Sequence, residues 1–151
     1  MSGSEFIYVI YIRTTPEELW RALTTPETIK QYRFGMIVES EWKVGSTWKM
    51  YADESLMDSG EILENVPGKR LVMSWLNEWK PEFKAEGSSR CHYEIEPAAA
   101  SAKLTLTHSM ERPDSRFIAA VSEGWPMVMS NLKSLLETGD VALDYHRRHE
   151  G

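Results

Sequence analysis

The segment "KLTLTHSM", Lys103 to Met110, sets one imidazole in a row of aliphatic side chains. Strand alternation places Leu104, Leu106, His108 and Met110 on one face and Thr105, Thr107 and Ser109 on the other. The apolar face must be the inner one, so His108 points inward. An inward imidazole is either a hydrogen-bonded core group or one that meets a ligand or moves a proton. In "SSRCHYEIEP" the charged set Arg90, His92, Glu94 and Glu96 faces water, which turns Cys91, Tyr93 and Ile95 inward. A buried tyrosine needs a partner for its hydroxyl, and His108 on the neighbouring strand is a candidate. Such a pair would supply an acid and a base, given a ligand within hydrogen-bond reach. Cys91 and His92 are adjacent and face opposite ways. They form no thiol–imidazole couple, which argues against a cysteine nucleophile.

Two more inward rows are rich in large side chains: Leu71, Met73 and Trp75, and Trp48 with Met50. Trp125, from the last helix, brings a third tryptophan towards the same interior, as solid core or as the wall of a cavity. Gly124 beside it removes a side chain where helix and sheet face each other, which allows close packing. The loop "NEWKPEFKAEG", residues 77–87, sets Trp79 and Phe83 among charges. It reads equally as a tethered lid at a pocket mouth or as a patch for a protein partner.

Other chemistries fail on spacing. The chain has no Cys-x-x-Cys and no His-Glu-x-x-His, so no metal site is expected. His146 and His149 are three residues apart but belong to a polar tail, where they read as solvated. There is no Gly-x-Gly-x-x-Gly and no P-loop, no paired carboxylates fall on an inward face, and no cofactor is expected.

The elements that must position these groups are legible from local signals. Phe6 to Arg13 is a β-branched and aromatic run that reads as a strand apolar on both faces. In "TTPEELWRALTTPETIKQY", Thr15-Pro16-Glu17-Glu18 has the form of a capping box, and Thr25-Pro26 repeats the cap and the proline. Two short helices, at about 16–23 and 26–32, therefore follow each other rather than form a repeat. Six strand-like segments follow, at about 36–42, 46–52, 58–65, 70–77, 88–96 and 102–110. Turns at Lys43-Val44-Gly45, Pro67-Gly68-Lys69 and Pro97-Ala98-Ala99-Ala100 leave no room for crossover helices, so the sheet is mainly antiparallel. From Asp114 to Thr138 the period becomes helical, with Phe117, Val121, Trp125, Val128, Leu132 and Leu135 on one stripe and Ile118, Met129 and Leu136 widening it. Asp114 can cap this helix, Pro126 should kink it, and Gly139 sits where it should stop. Residues 140–151 read as a polar, frayed tail.

Composition bounds the rest. A chain of 151 residues fits one domain, here 1–139 with the tail 140–151. The net charge of −6, with Arg147-Arg148 in the tail as the one short basic cluster, argues against a nucleic-acid partner. Cys91 is the only cysteine, so no internal disulfide forms, which fits a reducing cytosol. The N-terminus lacks a basic n-region, and no run approaches the ~18 apolar residues of a membrane span. A cytoplasmic protein with no membrane insertion is expected.

The chain resembles the activator-of-Hsp90-ATPase-homologue type of START-like (polyketide cyclase, SRPBCC) domain. The resemblance is carried by "TTPEELWRALTTPETI" after the first strand, "WKVGS" at 42–46 and "ENVPGKRLVMSW" at 64–75. "YEIEP" at 93–97, leading into "KLTLTHSM", and "EGWPMVMSNLKSLLETG" at 123–139 complete it. It implies an α+β helix-grip (START-like, Bet v 1-like) fold: a curved seven-stranded antiparallel sheet around a long C-terminal helix, with two short helices after the first strand and a cavity between. The family has no universal catalytic set. Its pocket-facing positions correspond to Trp48, Trp75, Tyr93, His108 and Trp125; with Met50, Met73 and Met129 these make the expected ligand-binding set. Relatives often carry tryptophan after the second short helix, where "KQYRFGM" offers Tyr32 and Phe34. The leading expectation is a carrier or sensor of a small hydrophobic or aromatic ligand. The alternatives are a chaperone-accessory role, like that of an Hsp90 ATPase activator, or another protein partner, and then a cyclase- or hydrolase-type enzyme. Eukaryotic Hsp90 activators carry a separate N-terminal domain for the main Hsp90 contact, and these 151 residues hold none.

Overall fold

Thr15 opens the first helix as its signature predicts: its hydroxyl accepts from the Glu18 amide at 3.1 Å, and Pro16 stands at the first helical position. In this computed structural model, which describes residues 3–144, helix α1 is Pro16–Thr24 and α2 is Pro26–Tyr32. The second cap differs from expectation. Thr25 makes no side-chain cap bond, and its extended backbone alone separates the helices. Strand β1, Ser4–Ile12, precedes them. After them come β2 (Ile37–Ser40), β3 (Thr47–Ala52), β4 (Ser55–Val66), β5 (Arg70–Asn77), the single turn α3 (Pro81–Lys84), β6 (Ser89–Ala98), β7 (Ser101–Met110) and α4 (Arg116–Thr138).

The seven strands form one curved antiparallel sheet in the order β1-β7-β6-β5-β4-β3-β2. Irregular register between Met50 and Tyr51, and again between Ile62 and Glu64, interrupts the ladder in its β3–β5 half. Such irregularities bend a strand and increase its twist. β1 lies at an edge and packs only one face. Phe6, Tyr8 and Ile10 are half-buried, whereas Ile7, Val9 and Tyr11 remain 54%, 47% and 53% exposed. Its second apolar face is therefore surface.

Helix α4 covers the inner face of the sheet, burying Phe117, Ile118, Trp125, Val128, Met129 and Leu132. Ser115, not Asp114, is its N-cap, with Oγ accepting from the Ile118 amide at 3.0 Å. Asp114 takes a left-handed turn conformation, φ 52°, that brings Ser115 to the cap. Gly139, with φ 88°, closes the helix in the left-handed region that glycine adopts without cost. The helix runs unbroken from 116 to 138 through Pro126.

The segment after it is docked rather than frayed as far as it is described. The buried Asn131 side chain donates to the Leu143 carbonyl at 2.9 Å and accepts from the Leu143 amide at 2.7 Å. His146, His149, Arg147 and Arg148 lie outside the described residues.

Candidate functional site

Between α4 and the sheet lies a cavity of about 250 Å³. Trp75 on β5 and Trp125 on α4 form part of its wall, with ring centroids 5.8 Å apart in an edge-to-face arrangement. Trp48 backs Trp75 at 4.6 Å and donates its indole N–H to the Ser74 carbonyl at 2.8 Å. The expected meeting of three tryptophans thus occurs, and two of them border open space. Met36, Met50, Phe117 and Val121 add to the apolar lining. Gly124 lines the cavity too: a Cβ there would meet no atom within 4 Å. Its role is therefore to leave room, and the close-packing expectation is corrected.

Among the described residues three polar side chains enter this lining: Arg33, Asp58 and Asn77. Arg33 closes α2, its backbone N–H bonded to the Ile29 carbonyl at 2.9 Å, where the helix dipole favours a cation. Left-handed Phe34 and Gly35 then turn the chain into β2. The Arg33 guanidinium carbon sits 4.5 Å from the Trp125 ring centroid and 5.4 Å from that of Trp75, in cation–π range of both. Its Nη2 is buried and has no hydrogen-bond partner. Asp58 is buried, with Oδ1 accepting from the Trp75 indole at 2.9 Å and from the Asn77 amide at 3.4 Å. Burial pushes its carboxyl above the ordinary carboxylate range, against the opposing pull of those bonds and of the Arg33 charge.

His108 is fully buried and stands behind this wall. Its Nε2 is 2.8 Å from Ser89 Oγ, and its Nδ1 accepts from the Trp125 indole at 3.0 Å. Burial, with the Arg33 charge assisting, lowers its pKa to about 3, so the ring is neutral at physiological pH. The expected Tyr93–His108 contact does not form, because both ring nitrogens are already engaged. The Tyr93 hydroxyl instead lies within hydrogen-bonding influence of the Arg33 guanidinium and the Cys91 thiol, and burial raises its pKa well above the usual tyrosine value. The acid–base pair drawn from strand alternation is thus not assembled. Cys91 is buried as well; burial pushes its thiol up to about 12, which leaves no thiolate for nucleophilic attack.

Of the expected set, Met50, Trp75 and Trp125 line the cavity. Trp48, Met73 and Tyr93 border a separate void of about 20 Å³, the size of one water, which Arg33 also reaches. His108 and Met129 lie outside both linings. The loop resolves into two parts. Phe83 lines the cavity and packs edge-on against Phe117 at 5.7 Å, while Trp79 stays exposed. Glu86 ties this loop to α4, accepting from Ser115 Oγ at 2.6 Å, the Arg116 amide at 2.9 Å and the Phe117 amide at 3.3 Å. A larger hollow of about 550 Å³ lies outside the grip, where Phe34 and Gly35 face Val141 and Leu143, against the end of the described chain. Among the described residues no cluster of three metal-binding side chains occurs, and no helix is long and apolar enough to cross a membrane.

The family model described as activator of Hsp90 ATPase homolog 1-like protein matches residues 13–137. The chain belongs to this family. Solved structures agree with the assignment. A protein from Mesorhizobium loti is 28% identical, with 91% of this chain and 100% of that one aligned at a TM-score of 0.79. The Aha1 dimer from Colwellia psychrerythraea is 20% identical over 90% of this chain and 98% of that one, TM-score 0.75. An Hsp90 activator from Plasmodium falciparum is 22% identical over 89% and 96%, TM-score 0.71. The last two likenesses are of fold. No curated protein sequence matches the chain. Arg33, Asp58 and Asn77 thus join Trp75 and Trp125 in lining the cavity of this family member, and none of the three was expected there from sequence; Gly124 was expected at this helix–sheet face, but as a packing residue.

Proposed function

We propose that this member of the family is a binding module that holds a small apolar or aromatic molecule between the sheet and α4. The observation that carries the reading is the cavity walled by Trp75 and Trp125, with Gly124 leaving space on the helix side. Apolar walls with a few convergent polar groups are the usual make-up of ligand sites. A volume of about 250 Å³ suits a small metabolite rather than a long lipid. Native mass spectrometry against a metabolite library, followed by tryptophan fluorescence titration of each hit, tests it. Gly124→Phe should fill the space and abolish binding while the protein stays folded. Hits that bind this variant unchanged would place the ligand elsewhere.

A second reading, an accessory role towards a chaperone such as Hsp90, draws on family membership and on the exposed Ile7, Val9 and Tyr11 of β1. It predicts stimulation of Hsp90 ATP turnover that Ile7→Glu with Val9→Glu removes. Turnover unaffected by excess protein would set it aside.

A further inference from the structure

Among the described residues Arg33 carries the only positive charge in the cavity lining, and its surroundings leave it incompletely satisfied. A guanidinium has five N–H donors in one plane and keeps its proton in proteins. The rings of Trp125 and Trp75 engage it at 4.5 and 5.4 Å from their centroids. Nη2 is buried and makes no hydrogen bond of good geometry; the Tyr93 hydroxyl acts on the guanidinium from the sheet side, and among the described residues no carboxylate bonds to it. Asp58, the one acid in the lining, does not take that role. Its Oδ1 is committed to Trp75 and Asn77, and Arg33 acts on it through charge alone. A half-buried guanidinium that lines an apolar space and is bonded to no carboxylate there is a preformed half of an ion pair. A carboxylate matches the other half, because its two oxygens fit the fork of a guanidinium.

We propose that the cavity selects molecules bearing a carboxylate on a small aromatic or apolar body, with Arg33 receiving the carboxylate. The inference rests on the binding reading above and adds the class of ligand. The body would lie against Trp75, Trp125 and Phe117, with Gly124 giving it clearance. Asp58 sets the sign of selection on its own side of the lining: its negative charge opposes an anion placed against it, so the carboxylate belongs at Arg33.

The test compares 2-naphthoate with its neutral isostere 2-naphthamide by isothermal titration calorimetry on the full chain. The acid should bind roughly ten- to a hundredfold more tightly, the span expected of a charge-assisted hydrogen bond. Arg33→Met should bring the acid down to the level of the amide and leave the amide within about twofold. Asp58→Asn should strengthen the acid selectively. Should Arg33→Met fail to fold, Arg33→Lys serves in its place: it keeps the charge, loses the fork, and should weaken the acid by an intermediate factor. Amide and acid binding equally to the wild-type protein would overturn the carboxylate inference and leave the cavity reading standing. Neither binding at millimolar concentration would overturn both.

Discussion

The indole N–H of Trp125 donates to Nδ1 of His108 across 3.0 Å, joining α4 to β7 through a buried bond. Since Nδ1 accepts, the ring proton resides on Nε2, facing Ser89 Oγ at 2.8 Å, and the Ser89 hydroxyl donates in turn to the Trp75 carbonyl at 3.1 Å. A second ring proton would point at the indole N–H, so charging breaks the link as well as desolvating a cation. His108 therefore stays neutral down to about pH 3, below the ordinary value of 6.5. In that window the unfolded chain binds a proton that the folded chain refuses. Stability from this group is complete above pH 6.5 and falls as pH drops towards 3, by at most about 1.4 kcal/mol per pH unit. Carboxylates add their own slopes. His108→Gln isolates the term, and its pH dependence of unfolding free energy from pH 6.5 to 4 should be shallower than wild type. Parallel profiles would show that His108 titrates normally.

Trp125 is 3% exposed yet borders the cavity, so its truncation separates packing from bonding. Trp125→Ala should cost about 3–5 kcal/mol, since the ring covers Trp75, Tyr93 and His108. Trp125→Phe keeps much of the volume but orphans Nδ1 of His108, and should cost about 1–3 kcal/mol. Urea unfolding decides the matter. A loss below about 1 kcal/mol for the alanine variant would mean that the ring contributes wall and not core.

Two glycines answer alanine substitution in opposite directions. Gly60 on β4 lies opposite Trp48, and a Cβ there would stand 1.9 Å from the Ser74 carbonyl oxygen and 2.5 Å from the Trp48 indole nitrogen. Backbone cannot yield cheaply, so Gly60→Ala should cost roughly 3 kcal/mol or more and disturb the Trp48 bond. At Gly124 the same atom meets open space within a helix, and Gly124→Ala should stabilise the protein by about 0.5–1 kcal/mol. Thermal melts of the two variants read both signs, and a destabilised Gly124→Ala would mean that the helix is tighter there than its surroundings indicate.

Strand alternation made the aromatic interior legible, because His108, Trp75 and Trp48 sit on rows whose period survives in regular sheet. It misled at chemistry, because period reports the face and not the partner: Tyr93 and His108 share an interior and still point to different groups. Asp58 was hidden by irregular register. It opposes Met50 on one side and Asn77 on the other, so it belongs to an inward row. A reading of "RLVMSWLN" carried two residues past Trp75 would have placed Asn77 on that row and pointed to its neighbour. Arg33 left no periodic trace at all. It lies at the end of a seven-residue helix, in a short polar-looking turn, and its inward course is set by tertiary contacts with Trp75 and Trp125.

Glu86 offers the last test, on the loop that covers the cavity. Its two oxygens receive three donors from the start of α4, including the Arg116 and Phe117 amides that a helix leaves unpaired. Burial raises its pKa, but the bonds from Ser115, Arg116 and Phe117 outweigh that, and the carboxyl is held below its ordinary range. The stability it contributes is therefore present above the ordinary carboxylate pKa and is lost as pH falls through the folded one. Glu86→Ala should cost about 1–2 kcal/mol at neutral pH, the scale of a lost helix cap. It should also release the loop, since Glu86 is the side chain that fastens residues 77–88 to Ser115, and Phe83 would then cover Phe117 less often. Hydrogen exchange should rise in residues 78–88 and at the first turn of α4, with the sheet unchanged. A ligand held under Phe83 should dissociate faster from this variant, with a smaller change in its association rate. Exchange confined to the helix turn, with the loop as protected as before, would show that other contacts hold the loop and that Glu86 serves as a cap only.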